Sequence, residues 1–137
     1  MKTLALLISL FAALMLRAAE NSPLKLPSGA QFAGDVAYVA EAHARQKLDI
    51  AFFKHGSPRP LLVWIHGGAF MGGDKAENLP IWDDLMKHGF AVATINYRLS
   101  GDAKWPAQIT DCKAAIRFLK ASAKEYNIEP QRIGVWG

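Results

Sequence analysis

The chain contains a single cysteine, Cys112, no run of like charge and no low-complexity segment. One cysteine excludes an internal disulfide framework and any cysteine-only metal cluster. Sixteen basic residues against 12 acidic ones give a formal charge of +4. They are scattered, which argues against the dense basic patch of a nucleic-acid binder. His43, His55 and His88 lie in separate turns, with no H-E-x-x-H spacing for a metal. The apolar stretch Thr3 to Leu16 covers 14 residues, short of the roughly 20 that cross a bilayer as a helix. What is present is ordinary: 137 residues, 51% hydrophobic and 20% charged, the composition of one globular domain.

That N-terminal stretch follows Lys2 and precedes Ala18-Ala19. It reads as a secretory signal peptide over residues 1–19, directing the protein to the periplasm or outside the cell with no membrane attachment after cleavage. Arg17 is an imperfect fit to the cleavage region. Losing Lys2 and Arg17 lowers the charge from +4 to +2, so half of the basic excess belongs to the leader. Residues 20–34, rich in Ser, Pro and Gly, read as an extended leader without periodicity, and residues 35–137 as the domain.

Val36 and Tyr38, then Leu48, Ile50 and Phe52, recur with the two-residue period of strands and predict a hairpin that turns near Ala40 to Ala44. After the turn-rich His55 to Pro60, the apolar run Leu61 to Ile65 predicts a strand buried on both faces, as does Phe90 to Tyr97. Between them, Asn78 is placed to cap a helix carrying Ile81, Trp82, Leu85 and Met86 on one stripe, with Gly89 ending it. A longer helix runs from Pro106 to about Asn127. Ile109, Cys112, Ile116, Leu119, Ala123 and Tyr126 form its expected core stripe, and Lys113, Arg117, Lys120 and Lys124 a solvated flank. Another buried strand begins at Arg132. The order is hairpin, strand, helix, strand, helix, strand: an α/β fold with parallel crossovers and helices on both faces of the sheet.

The chemistry concentrates in the loop after Ile65, which reads His66-Gly67-Gly68-Ala69-Phe70-Met71-Gly72-Gly73-Asp74-Lys75. Ligands of open α/β sheets bind at the carboxyl ends of strands, and glycines leave backbone N–H groups free to converge on one atom. A phosphate loop is excluded by spacing. Asp74 separates Gly73 from Lys75, Ala76 stands where a Mg²⁺-binding hydroxyl belongs, and no G-x-G-x-x-G occurs. No nucleotide, other cofactor or metal is implied.

The remaining reading is an oxyanion hole. The segments Gln46-Lys47-Leu48-Asp49-Ile50, Trp64-Ile65-His66-Gly67-Gly68-Ala69-Phe70, Asn96-Tyr97-Arg98-Leu99-Ser100 and Trp105-Pro106 with Asp111 come in order. Together they resemble the α/β-hydrolase superfamily, and within it the exported carboxylesterases related to hormone-sensitive lipase and the xylan-acetyl or feruloyl esterases. The resemblance implies an HGGG-type oxyanion loop after the third strand. Gly68 and Ala69 would donate their N–H groups, Gly67 would allow the turn, and His66 would brace the loop rather than act as a base. Ala69 replaces the third glycine of that motif. It keeps an N–H, so donation survives unless the loop demands a positive φ that alanine resists. Arg98 and Asp111 read as a structural ion pair. The four tryptophans, Trp64, Trp82, Trp105 and Trp136, read as core or pocket wall rather than a sugar-stacking platform, with Trp105, at a strand-to-helix loop, the best exception.

The resemblance also implies a G-x-S-x-G nucleophile after the last strand, with an acid and a histidine later. Gly137 occupies the first position of that motif, so the serine is expected just beyond it. Ser57, Ser100 and Ser122 lack the glycine bracket, and Cys112 sits on a helix stripe. The expectation is therefore the N-terminal half of an α/β-hydrolase domain. It supplies the oxyanion loop of a serine carboxylesterase acting on small-molecule or polysaccharide-linked esters, truncated at the nucleophile elbow and inactive alone. The alternative is a complete, non-catalytic binding or structural domain. An exposed apolar edge at its last strand counts against that alternative.

Overall fold

The computed structural model describes residues 24–137, so the expected signal peptide lies outside the described residues. Five strands form one sheet: β1 (Ala30–Ala37), β2 (Lys47–Phe53), β3 (Arg59–Ile65), β4 (Ala91–Ile95) and β5 (Ile128–Trp136). A 3-10 turn at Leu79–Ile81 leads into the short helix α1 (Trp82–Lys87), and a longer helix α2 (Ala107–Ala121) precedes β5. The spatial order is β1-β2-β4-β3-β5. β1 and β2 form the expected antiparallel hairpin, while β3 runs parallel to both β4 and β5.

Strand alternation divides the core between two layers. On one face Leu48, Ile50, Leu61, Val63, Ala93 and Ile95 pack with Ala115 and Leu119 of α2. On the other, Ala51 and Val92 pack with Trp82 and Met86 of α1. Each fully buried Leu or Ile contributes about 1.5–3 kcal/mol relative to exposure. All five residues of β4 are buried, as a central strand with a continuous apolar sequence requires.

The two sheet edges differ. β1 carries a bulge between Ala33 and Val36. Asp35 takes a left-handed conformation there, φ 55°, and its N–H donates to Asp49 Oδ1 at 2.8 Å. β5 is regular from Ile133 to Trp136, pairing with β3 from Leu61 to Trp64.

Several boundaries depart from the sequence pattern. β1 starts at Ala30, inside the stretch read as leader, and β5 starts at Ile128 rather than Arg132. Asn78 makes no side-chain cap; the chain enters α1 through the 3-10 turn, with Asp83 and Asp84 in the first helical turn. α2 ends at Ala121, after which turns carry the chain to Asn127 (φ 50°). The buried face of α2 is Gln108, Asp111, Cys112, Ala115 and Leu119, whereas Ile109 is 39% exposed and Ile116 half-buried. Polar anchors explain the turn of the helix. Gln108 donates to the Ala103 carbonyl at 2.9 Å, and Asp111 is held from beyond β4 by Arg98. Lys113, Arg117, Lys120 and Lys124 are exposed.

Candidate active site

The glycine loop leaves the carboxyl end of β3 and turns sharply. Gly68 has φ 106° and Gly73 φ 100°. A Cβ on Gly68 would collide with the Gly72 carbonyl, and one on Gly73 with the His66 ring and the Gly67 carbonyl. Ala69 (φ 53°) and Phe70 (φ 62°) are left-handed as well. The conformation that alanine resists is therefore the one Ala69 adopts, at a cost of about 1–2 kcal/mol per residue.

The carbonyls of Gly67, Gly68 and Phe70 are all anchored. Gly68 O accepts from Met71 N at 2.9 Å and from Gly72 N at 3.2 Å, and Phe70 O accepts from Ser100 N at 2.8 Å. Gly67 O receives His66 Nδ1 at 2.8 Å. A trans peptide directs its N–H opposite its C=O, so fixing the carbonyls of Gly67 and Gly68 fixes the N–H groups of Gly68 and Ala69. Among the described residues no acceptor takes either of those N–H groups.

His66 is buried and stacks on Tyr97 with ring centroids 4.4 Å apart. The Tyr97 hydroxyl donates to His66 O at 2.8 Å, and burial holds this phenol above its ordinary range, so it stays a donor. Behind the loop lies a polar cluster that sequence reasoning did not single out. Arg45, from the β1–β2 connection, donates to the carbonyls of Tyr97 (2.9 Å) and Gly73 (2.8 Å) and approaches His66 Nε2 at 3.1 Å. Asn96 accepts from Lys75 N at 2.8 Å and donates to Asp74 Oδ2 at 2.9 Å. Lys75 Nζ meets the buried Asp49 at 2.7 Å and Asp35 at 3.2 Å. Burial works against the Lys75 ammonium, but these two carboxylates outweigh it and raise its pKa.

Asp111, buried in the first half of α2, accepts from Arg98 Nη2 (2.8 Å), Arg98 Nε (2.9 Å), Arg98 N (3.0 Å) and Gln46 Nε2 (2.9 Å). Burial alone would raise its pKa; these four donors lower it below the ordinary carboxylate range. The pair holds the helix against the end of β4, away from the loop amides.

Beside the loop opens an apolar cleft of about 340 Å³, bounded by His66, Gly67, Ala69, Phe70, Tyr97, Trp105 and Ile109. Phe70 and Trp105 form its exposed rim, ring centroids 5.9 Å apart. Cys112 also reaches the cleft, but burial pushes its thiol up to about 11, which keeps it protonated and poorly nucleophilic at neutral pH. The Ser100 hydroxyl donates to the Phe70 carbonyl at 3.1 Å. At the other side of the loop's root, a Cβ on Gly137 would collide with the Ile65 carbonyl, so the backbone there runs tight against the end of β3. His43, His55 and His88 are exposed, and among the described residues no three His, Cys, Asp or Glu are grouped to hold a metal.

Comparison with known proteins places this geometry. The BD-FAE family model matches residues 48–137. The chain is 37% identical over 79 residues to the probable carboxylic ester hydrolase LipM of Mycobacterium tuberculosis, covering 57% of this chain and 18% of that protein. It is 32% identical over 90 residues to an acetyl esterase of Salmonella schwarzengrund, covering 59% of this chain and 27% of that one. Among solved structures, a truncated form of a carbohydrate esterase from gut microbiota superposes with a TM-score of 0.70 at 37% identity, covering 77% of this chain and 38% of that one. Esterase B from Lactobacillus rhamnosis shares the fold, with a TM-score of 0.70 at 23% identity over 98% of this chain and 45% of that one. The chain thus spans about a fifth of the length of the curated relatives it matches.

Proposed function

The chain belongs to the BD-FAE family of α/β-hydrolase esterases, and from that premise we propose that it supplies the oxyanion hole of a serine carboxylic-ester hydrolase. The observation that carries this reading is the pair of uncommitted N–H groups on Gly68 and Ala69, held by anchored carbonyls at the mouth of an apolar cleft. When a serine attacks an ester carbonyl, negative charge develops on the carbonyl oxygen. Two preorganised N–H donors stabilise that charge in the transition state more than in the ground state. His66 supports the loop: its Nε2 faces a guanidinium, and its Nδ1 serves the Gly67 carbonyl. Neither nitrogen is free to take a proton from a nucleophile.

The serine, the acid and the catalytic histidine are assigned to sequence beyond Gly137. The family's Ser–acid–His order and the small share of each relative that this chain covers support that assignment. The substrate is a neutral ester, free or polysaccharide-linked, whose apolar portion enters the cleft rimmed by Phe70 and Trp105.

Two measurements test this. The 137-residue chain alone is expected to hydrolyse nitrophenyl acetate no faster than buffer; turnover abolished by Ser100→Ala or Cys112→Ala would overturn the assignment. In the longer protein, Gly68→Ala, whose Cβ would strike the Gly72 carbonyl, is expected to lower kcat on the order of 10²-fold with little change in KM. A folded variant with undiminished kcat would remove Gly68 from the oxyanion hole.

A further inference from the structure

Arg45 lies outside every motif, yet it touches both ends of the glycine loop. Its Nη2 reaches His66 at the entry (3.1 Å) and the Gly73 carbonyl at the exit (2.8 Å), while Nε donates to the Tyr97 carbonyl (2.9 Å). Asn96 Oδ1 accepts from the same Nη2 at 3.3 Å. Among the described residues Arg45 forms no ion pair. Its donors go to backbone carbonyls, an amide oxygen and an imidazole instead. A guanidinium offers donors and no acceptor. Where Arg45 Nη2 meets His66 Nε2, the ring nitrogen must therefore be the acceptor, and the ring proton must sit on Nδ1. Nδ1–H is the group that donates to Gly67 O at 2.8 Å. That carbonyl shares a planar peptide with the Gly68 N–H, which must then point the opposite way.

We propose that Arg45 is a positioning residue for ester hydrolysis, clamping the two ends of the glycine loop and setting the His66 tautomer that aims the Gly68 N–H at the reacting oxygen. The inference rests on the oxyanion reading above and extends it to a residue 21 positions upstream of the loop. A lysine at this position would offer one ammonium in place of a planar fork, and it could not serve the carbonyls and the imidazole together. With the guanidinium removed, His66 is free to exchange tautomers. The Gly67 carbonyl then keeps only its longer contact with the Tyr97 hydroxyl, at 3.5 Å, and the Gly67–Gly68 peptide is less firmly directed.

The test compares wild type, Arg45→Lys and Arg45→Met, the second variant keeping bulk without a donor. The side-chain nitrogen NMR signals of His66 are expected to report one tautomer, with its proton on Nδ1, in wild type and a mixture in Arg45→Met. On nitrophenyl acetate, the longer protein carrying Arg45→Met is expected to lose on the order of 10²-fold in kcat, as misplaced catalytic groups do, with KM within about twofold. Arg45→Lys, the variant that keeps the charge if Arg45→Met fails to fold, is expected to fall between them by both readouts. An Arg45 that merely stabilises the fold would lower the melting temperature and leave the tautomer and kcat of the folded protein unchanged. That result overturns the proposal. A tautomer that shifts as expected in a longer protein with no esterase turnover would instead overturn the oxyanion reading and leave the clamp standing.

Discussion

Val63 and Val135 are partners across the β3–β5 ladder and belong to the same face of the sheet, yet they occupy different worlds. Val63 is fully buried, while Val135 is 53% exposed. From Val63 toward β4 and β2, apolar strands meet α2, and at the carboxyl end of β4 Arg98 pairs with Asp111, Arg45 with Asn96 and Lys75 with Asp49. From Val63 toward β5, the surface opens into an apolar groove between Val135, Ile65, Ile109 and Ile116, with Lys113 and Arg117 at its border. One valine is held by packing and by a helix that polar bonds have locked in place. The other is held by its backbone ladder and lies half open to solvent. Residue type decides neither outcome; the placement of α2 does.

The largest effect is expected where the closed side depends on a buried charge. Asp111→Ala leaves Arg98 and Gln46 without their acceptor and should cost about 3 kcal/mol, read by urea denaturation. A loss below about 1 kcal/mol would mean that the ion pair does not hold α2 in place. Next, Val63→Thr buries a hydroxyl with no partner and should cost about 2 kcal/mol. Val135→Thr, its ladder partner, should change stability by less than about 0.5 kcal/mol. Equal effects at the two positions would erase the distinction between the sides.

Acid titration sharpens the same contrast. The folded-state pKa of Asp111 is lowered by Arg98 and Gln46 against the effect of burial. Its contribution is therefore complete above the ordinary carboxylate range and disappears as pH falls through the lower folded value. The melting temperature of Asp111→Asn should start lower and fall less steeply below about pH 4. Lys75 has the opposite sign. Its raised pKa gives stability that is present below its ordinary value and is lost as pH climbs through the folded one.

A small effect of the opposite sign is expected in the loop. Ala69→Gly relieves about 1–2 kcal/mol of left-handed strain but adds about 0.4–1 kcal/mol of unfolded-state entropy. The net is a gain of about 0.5 kcal/mol, with the N–H donor retained. A melting temperature lower than wild type would show that the Ala69 methyl group contributes packing that outweighs its strain.

β3, β4 and the hairpin were legible because buried strands write themselves as apolar runs or strict alternation. β5 was half hidden: Glu129, Pro130 and Arg132 give no strand signal, and they lie where the pairing with β3 is irregular. Ile109 fitted a helical stripe yet faces the groove, because periodicity reports an apolar face and not what lies opposite it. His66, Gly67, Gly68 and Ala69 could be found from their adjacency in sequence. Arg45 could not, since its partners lie 21 to 52 residues away and only the fold of β1, β2 and β4 brings them to it.

The bulge in β1 has a consequence for how copies of this sheet can meet. Asp35, turned left-handed and tied to Asp49 and Lys75, breaks the register that an incoming strand would need, and it sets a charge on that border. A strand arriving from another copy would find neither a continuous register nor a neutral edge there, so the β1 border is closed to strand addition.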